Sequence, residues 1–129
     1  MATTEITAKN FESIVDQDGI VLIDWWAPWC GPCRMFGPIF EKAAAKHADL
    51  TFAKVNTEDQ QELAGTFRIR SIPTLMVFRD HLLLYAQPGA LPEATLEDLI
   101  RKVRALDMDD VRRKVAEAEA REPREATAS

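Results

Sequence analysis

Cysteine is scarce in this chain. There are two in 129 residues, Cys30 and Cys33. Two cysteines cannot form the disulfide framework of a small secreted scaffold, and a chain this long does not need one to fold. Histidine is as scarce, with only His47 and His81, far apart in sequence. A structural zinc site wants four ligands, commonly as two close pairs, so a single C-x2-C with two isolated histidines falls short. Iron–sulfur ligation fails on the same count. His47 lies on the apolar stripe of a helix and reads as a packing residue, while His81 lies in a turn and reads as solvated. No basic run is present and the net charge is −5, which argues against nucleic acid as the main partner. The longest apolar runs, such as IVLI and LLLYA, are far short of the ~20 residues that span a bilayer. The start, MATTEITAKNFESIV, lacks a basic segment followed by an apolar one, so a cytoplasmic protein is expected. No glycine-rich phosphate loop, no serine nucleophile elbow and no internal repeat is seen.

What is present is a core-forming chain, 47% hydrophobic and 29% charged. Phe11, Ile14 and Val15 fall at helical spacing, which predicts a helix over Ile6–Val15 with Thr7 as its N-cap. Ile20–Trp26 is nearly all apolar, as in a strand covered on both faces. After the cysteines, Phe36, Phe40, Ala43, Ala44 and His47 mark a helix that Pro38 should kink. Leu50–Asn56 reads as a strand, and Thr57 with Gln60 as a capping box for a short helix. IPTLMVF and HLLLYAQ read as two strands joined at Asp80 and His81, and Gly89 marks a loop. A helix follows, with Leu96, Leu99, Ile100, Val103 and Leu106 on one face. Strands alternating with helices imply parallel pairing and the late hairpin is antiparallel, so an α/β fold with a central mixed sheet flanked by helices on both faces is expected.

Residues 1–106 make up this domain. Residues 107–129 form an extension with no aromatic residue, read as an exposed helix from about Asp109 to Ala120 and then a frayed tail. A solubilising extension is the plainer reading. A helix that docks a partner, or a second copy, is the sharper one.

The stretch DWWAPWCGPCRMF holds both cysteines. A thiol–disulfide catalyst needs a thiolate, and a helix N-terminus lowers a thiol pKa. Cys30 stands where the strand gives way to the helix, and Pro32 suits a first helical turn. Cys33 lies one turn on, within reach of a mixed disulfide at Cys30. Asp24 interrupts an apolar strand. Alone it could be a strand-end carboxylate facing water. Beside the two cysteines it reads as a buried base that takes the proton of the resolving thiol. Trp25 reads as core, and Trp29 as partly exposed beside the reactive thiol.

With WCGPC, Asp24 and IPT in place, the sequence resembles the thioredoxin family over roughly Ile6 to Leu106. The resemblance implies a thioredoxin fold and a protein-disulfide reductase without a resident cofactor or metal. It implies that Cys30 is the exposed nucleophile, Cys33 the buried resolving thiol, Asp24 the buried carboxylate and Lys54 the lysine near it. Pro73 would be a cis-proline facing the cysteines. Trp29, Gly31, Pro32, Ile72 and Gly89 would shape the substrate groove. Gly-Pro between the cysteines resembles the reducing members. The partners implied are disulfide-containing proteins and a flavoprotein thioredoxin reductase that draws on NADPH, with no nucleic acid and no membrane; a monomer is expected. The absence of a further cysteine pair separates the chain from the zinc-bearing subgroup. The turn at Asp80–His81 departs from the usual Asn-Gly type, which suggests a longer or differently shaped turn, and Pro92 stands where a polar helix cap is usual. A thioredoxin-like binding subunit or co-chaperone docking through the extension is the alternative function.

Overall fold

The computed structural model describes the backbone of residues 2–128 and the side chains of residues 2–121. Five strands form one sheet: β1 (Thr3–Glu5), β2 (Ile20–Trp26), β3 (Thr51–Asn56), β4 (Thr74–Arg79) and β5 (Leu82–Pro88). Their spatial order is β1-β3-β2-β4-β5. β3 pairs in parallel with β1 and β2, whereas β4 is antiparallel to β2 and to β5. The helices are α1 (Phe11–Val15), α2 (Gly31–Lys46), α3 (Gln61–Thr66), α4 (Glu93–Ala105) and α5 (Met108–Ala128).

β2 explains the architecture. Successive strand residues point to opposite faces, so an apolar run such as Val21-Leu22-Ile23 feeds two cores at once. Leu22 joins Phe36, Phe40, Phe52, Leu75, Leu96 and Ile100 on the side covered by α2 and α4. Val21, Ile23 and Trp25 join Phe11, Val55 and Met76 on the side of α1 and α3. By the same alternation Asp24 falls on the α2 side with Leu22, and Lys54 with Phe52.

Several local expectations need correction. The helix expected over Ile6–Val15 is only Phe11–Val15, and β1 precedes it. Ile6 continues the ladder, its N–H donating to the Lys54 carbonyl at 2.8 Å. Thr7 is not the cap: its hydroxyl accepts from Lys9 N–H at 3.2 Å, and Asn10 precedes the helix. The Thr57–Gln60 capping box does not form, because the Thr57 hydroxyl donates to the Trp26 carbonyl at 2.9 Å and the α3 cap makes no side-chain bond. The Asp80–His81 turn is no longer than usual: it is a two-residue loop with φ of 49° and 74°, the left-handed geometry of a type I′ turn.

That turn is held from outside. Asp80 Oδ1 accepts from Gly19 N–H at 2.8 Å, and Asp80 N–H donates to the Gly19 carbonyl at 3.0 Å. His81 is not simply solvated, since its Nδ1 lies 2.7 Å from Asp16 Oδ1 and its Nε2 3.1 Å from Asp18 Oδ1. His47 packs as expected, stacking on Phe52 while its Nε2 meets Glu97 Oε1 at 2.8 Å.

α2 runs without interruption through Pro38. α4 ends one residue before Leu106, which is half-exposed and does not join the apolar face. The Arg79 guanidinium closes α4 by donating to the carbonyls of Val103 (2.7 Å), Arg104 (3.3 Å) and Leu106 (3.1 Å). Asp107 opens α5, its Oδ1 accepting from Asp109 N–H at 3.1 Å and from Asp110 N–H at 3.3 Å. α5 extends to Ala128, past the expected end near Ala120. Met108 is buried, and Val111, Val115 and Ala118 are partly covered. Among the described residues no helix is long and apolar enough to cross a membrane.

Candidate active site

Cys30 and Cys33 are joined as a disulfide at the N-terminus of α2, their Cα atoms 5.2 Å apart. Cys30 is the N-cap: its backbone is extended, and its Sγ accepts from Cys33 N–H at 3.2 Å. Gly31 and Pro32 start the helix, where the missing proline donor costs nothing. The α2 macrodipole and this N–H both favour negative charge at Cys30 Sγ.

The expected difference in exposure is absent, because each cysteine is 4% exposed. What separates them is bonding, not burial: Cys30 holds the cap position and Cys33 supplies the N–H. Both pack with Ala27, Trp26 and Ile72. Cys30 Sγ also lies 3.6 Å from the Ile72 carbonyl oxygen.

The Ile72–Pro73 peptide is cis, as the resemblance implied. Gly89 locks the same loop, its N–H donating to the Pro73 carbonyl at 2.8 Å with φ of +119°, a conformation glycine tolerates and other residues resist. Trp29 is 63% exposed beside Cys30, and its indole N–H donates to Glu58 Oε1. Gly31 faces open space, so nothing there obstructs an incoming chain. Met35 is 72% exposed on the first turns of α2 and adds an apolar surface.

Asp24 lies within β2, on the face that α2 covers. It is 0% exposed and neither carboxyl oxygen has a hydrogen-bond partner. Burial pushes its carboxyl from 3.8 up to about 7; Lys54 pulls the other way and Glu41 adds to the rise. Lys54 is its register partner on β3. The Lys54 ammonium lies 3.6 Å from Glu41 Oε2 and 5.1 Å from the centre of the Trp26 ring. Among the described residues, no group of three or more His, Cys, Asp and Glu side chains could hold a metal ion.

The family model for thioredoxin matches residues 2–102. The chain belongs to the thioredoxin family. A thioredoxin-named protein of Streptomyces coelicolor is 56% identical over 119 residues, covering 92% of this chain and 89% of its own length. The thioredoxin of Alicyclobacillus acidocaldarius is 42% identical over 105 residues, 78% of this chain and 100% of its own. The crystal structure of Malassezia sympodialis thioredoxin superposes with a TM-score of 0.69 at 32% identity, covering 78% of this chain and 89% of that one. The fold is therefore the thioredoxin fold with an added C-terminal helix, and the chain is a thiol–disulfide oxidoreductase with a redox-active pair at Cys30 and Cys33.

The structure brings nine of the expected residues to one end of the sheet: Cys30, Cys33, Asp24, Trp29, Gly31, Pro32, Ile72, Pro73 and Gly89. Lys54 is there too, but its ammonium turns to Glu41. Sequence reasoning missed Met35, Glu41 and Glu58. Glu41 was within reach of it: Cys33, Gly37 and Glu41 are spaced i, i+4, i+8 along one stripe of α2.

Proposed function

We propose that the protein is a cytoplasmic disulfide reductase in which Cys30 is the nucleophile, Cys33 the resolving thiol and Asp24 the proton acceptor. The observation that carries the assignment is the Cys33 N–H aimed at Cys30 Sγ at the head of α2. It stabilises a thiolate at Cys30 and offers nothing equivalent to Cys33.

The reduced Cys30 thiolate attacks one sulfur of a substrate disulfide. A Cys30–substrate bond forms and the other substrate sulfur leaves as a thiolate. Cys33 then gives its proton to the Asp24 carboxylate and attacks Cys30 Sγ. The second substrate thiolate leaves, and two electrons have passed from the Cys30–Cys33 dithiol to the substrate. A buried carboxyl near 7 suits this step, since a base works best with a pKa close to the working pH. Trp29, Ile72 and the cis-Pro73 loop would hold the substrate chain. A thioredoxin reductase fed by NADPH would return the dithiol.

Turnover of insulin disulfides with NADPH and a thioredoxin reductase tests reaction and recharging together; no acceleration over buffer refutes the proposal. Cys33→Ser should accumulate mixed disulfides and Cys30→Ser should not. Equal trapping by both would reverse the two roles.

A further inference from the structure

Lys54 has two carboxylates to choose from, and it does not take the buried one. Asp24 is its register partner on the same face of the sheet, fully buried and without a hydrogen bond. An ammonium at contact would relieve that burial. Instead the Lys54 ion pair is made with Glu41, at 3.6 Å, and among the described residues none joins Lys54 to Asp24. Glu41 is itself anchored, since its Oε2 accepts from the Thr3 hydroxyl at 3.2 Å. The pair stands in a cleft of about 480 Å³ lined by Trp26, Glu41, Lys54 and Asn56 together with the Thr3–Glu5 strand.

We infer that Glu41 is a positioning residue of the redox centre: it holds the Lys54 ammonium at the mouth of this cleft, so that Asp24 is left without a direct counter-ion. The reading rests on Asp24 as the proton acceptor. Its logic is electrostatic. A cation in contact with a carboxylate lowers the carboxylate pKa by about one to three units. Asp24 paired in that way would stay ionised at neutral pH and take a proton from Cys33 poorly. With Lys54 held by Glu41, burial dominates and the carboxyl is poised near 7. The charged groups that act on Asp24 are Lys54 from β3 and Glu41 from α2; Glu5 from β1 lines the same cleft as that pair, and the partner of Asp24 on β4 is the apolar Leu75. Thr3 extends the device to the edge strand, because the hydroxyl that fixes Glu41 belongs to β1.

The test is Glu41→Gln in the full-length chain, alone and combined with Lys54→Met. Asp24 is titrated directly through its carboxyl ¹³C resonance, and the pH profile of insulin reduction is measured in parallel. With Lys54 present, Glu41→Gln should lower the Asp24 midpoint by about one pH unit, and Glu41→Asp should restore much of it. In the Lys54→Met background the same change should move the midpoint much less. An unmoved midpoint overturns the inference. So does an equal shift with and without Lys54, which would make Glu41 only one more negative charge. A midpoint that moves while the acid limb of turnover stays put upholds the role of Glu41 and refutes Asp24 as the proton acceptor.

Discussion

Replacing Asp24 with asparagine should stabilise the oxidised protein, and more so as pH rises. The native carboxyl is lifted from 3.8 to about 7 because the charged form has lost its water and gained no hydrogen bond. For an acid whose folded value is raised, the native state holds a proton that the unfolded chain releases. Stability therefore falls as pH rises between those two values, by about 1.4 kcal/mol for each pH unit. Over that interval the ionisable group costs about 4 kcal/mol, a sum that is complete only above pH 7. Asparagine has nearly the same shape and never ionises. Its buried amide, if unpartnered, costs about 1–3 kcal/mol, but that cost does not vary with pH. The quantity to read is the slope, not the offset. Urea unfolding of wild type and variant at pH 4, 5, 6, 7 and 8, followed by tryptophan fluorescence, supplies it. The stability difference should grow by several kcal/mol toward alkaline pH and level off above about pH 7. Two curves that stay parallel would refute a buried, unpaired Asp24 and with it the electrostatic account of the site. If Asp24 has the proposed role, the same variant should also slow disulfide reduction.

Gly89→Ala places a Cβ on a backbone with φ of +119° and should cost about 1–3 kcal/mol in urea unfolding, with a weakened Pro73 loop and lower kcat/KM toward insulin. Phe40, fully buried between Phe36 and Phe52, should cost about 3–5 kcal/mol when cut to alanine, whereas Leu106→Ala, on a half-exposed side chain, should change stability by less than about 0.5 kcal/mol. His81 titrates upward from its ordinary value, first through its hydrogen bond to Asp18 and then through the one to Asp16. A raised imidazole value means that the stabilisation is complete below the unfolded value of about 6.5 and is lost as pH climbs through the folded one. The gap in Tm between wild type and His81→Asn should accordingly close as pH rises above about 6.5; a gap independent of pH would assign the ring a purely steric role.

The elements that the sequence reveals are those whose cause is local or periodic. β2 is an unbroken apolar run and both its faces are covered. α2 and α4 carry apolar residues at helical spacing. β1 has no such signature: Thr3-Thr4-Glu5 is three polar residues with no buried side chain among them, and only its pairing with Phe52–Lys54 makes it a strand. The Asp80–His81 turn fails for the same reason. Non-glycine residues adopt positive φ uncommonly, Asp and His more readily than most, so this pair signals a tight turn only weakly. The partners that enforce it, Asp16, Asp18 and Gly19, lie more than sixty residues earlier. Thr57 shows the converse. Its sequence pattern is a helix cap, yet its hydroxyl is taken by Trp26 at the end of β2.

The site divides along the same line. The cysteine pair and Asp24 are legible together, as two cysteines at a strand–helix junction and a carboxylate in an apolar strand, whereas the cis-Pro73 is expected only from the family resemblance. The electrostatic setting of Asp24 is not legible, because it depends on which of two carboxylates Lys54 meets. Strand register puts Lys54 opposite Asp24, and a sequence reading stops at that neighbourhood. The helix decides otherwise, since eight residues of α2 advance about 12 Å from Cys33 and bring Glu41 down to the same lysine. Proximity of a cation is therefore not the same as pairing. A lysine beside a buried acid usually signals a lowered pKa; here the lysine pairs with Glu41, and burial raises the Asp24 carboxyl to about 7.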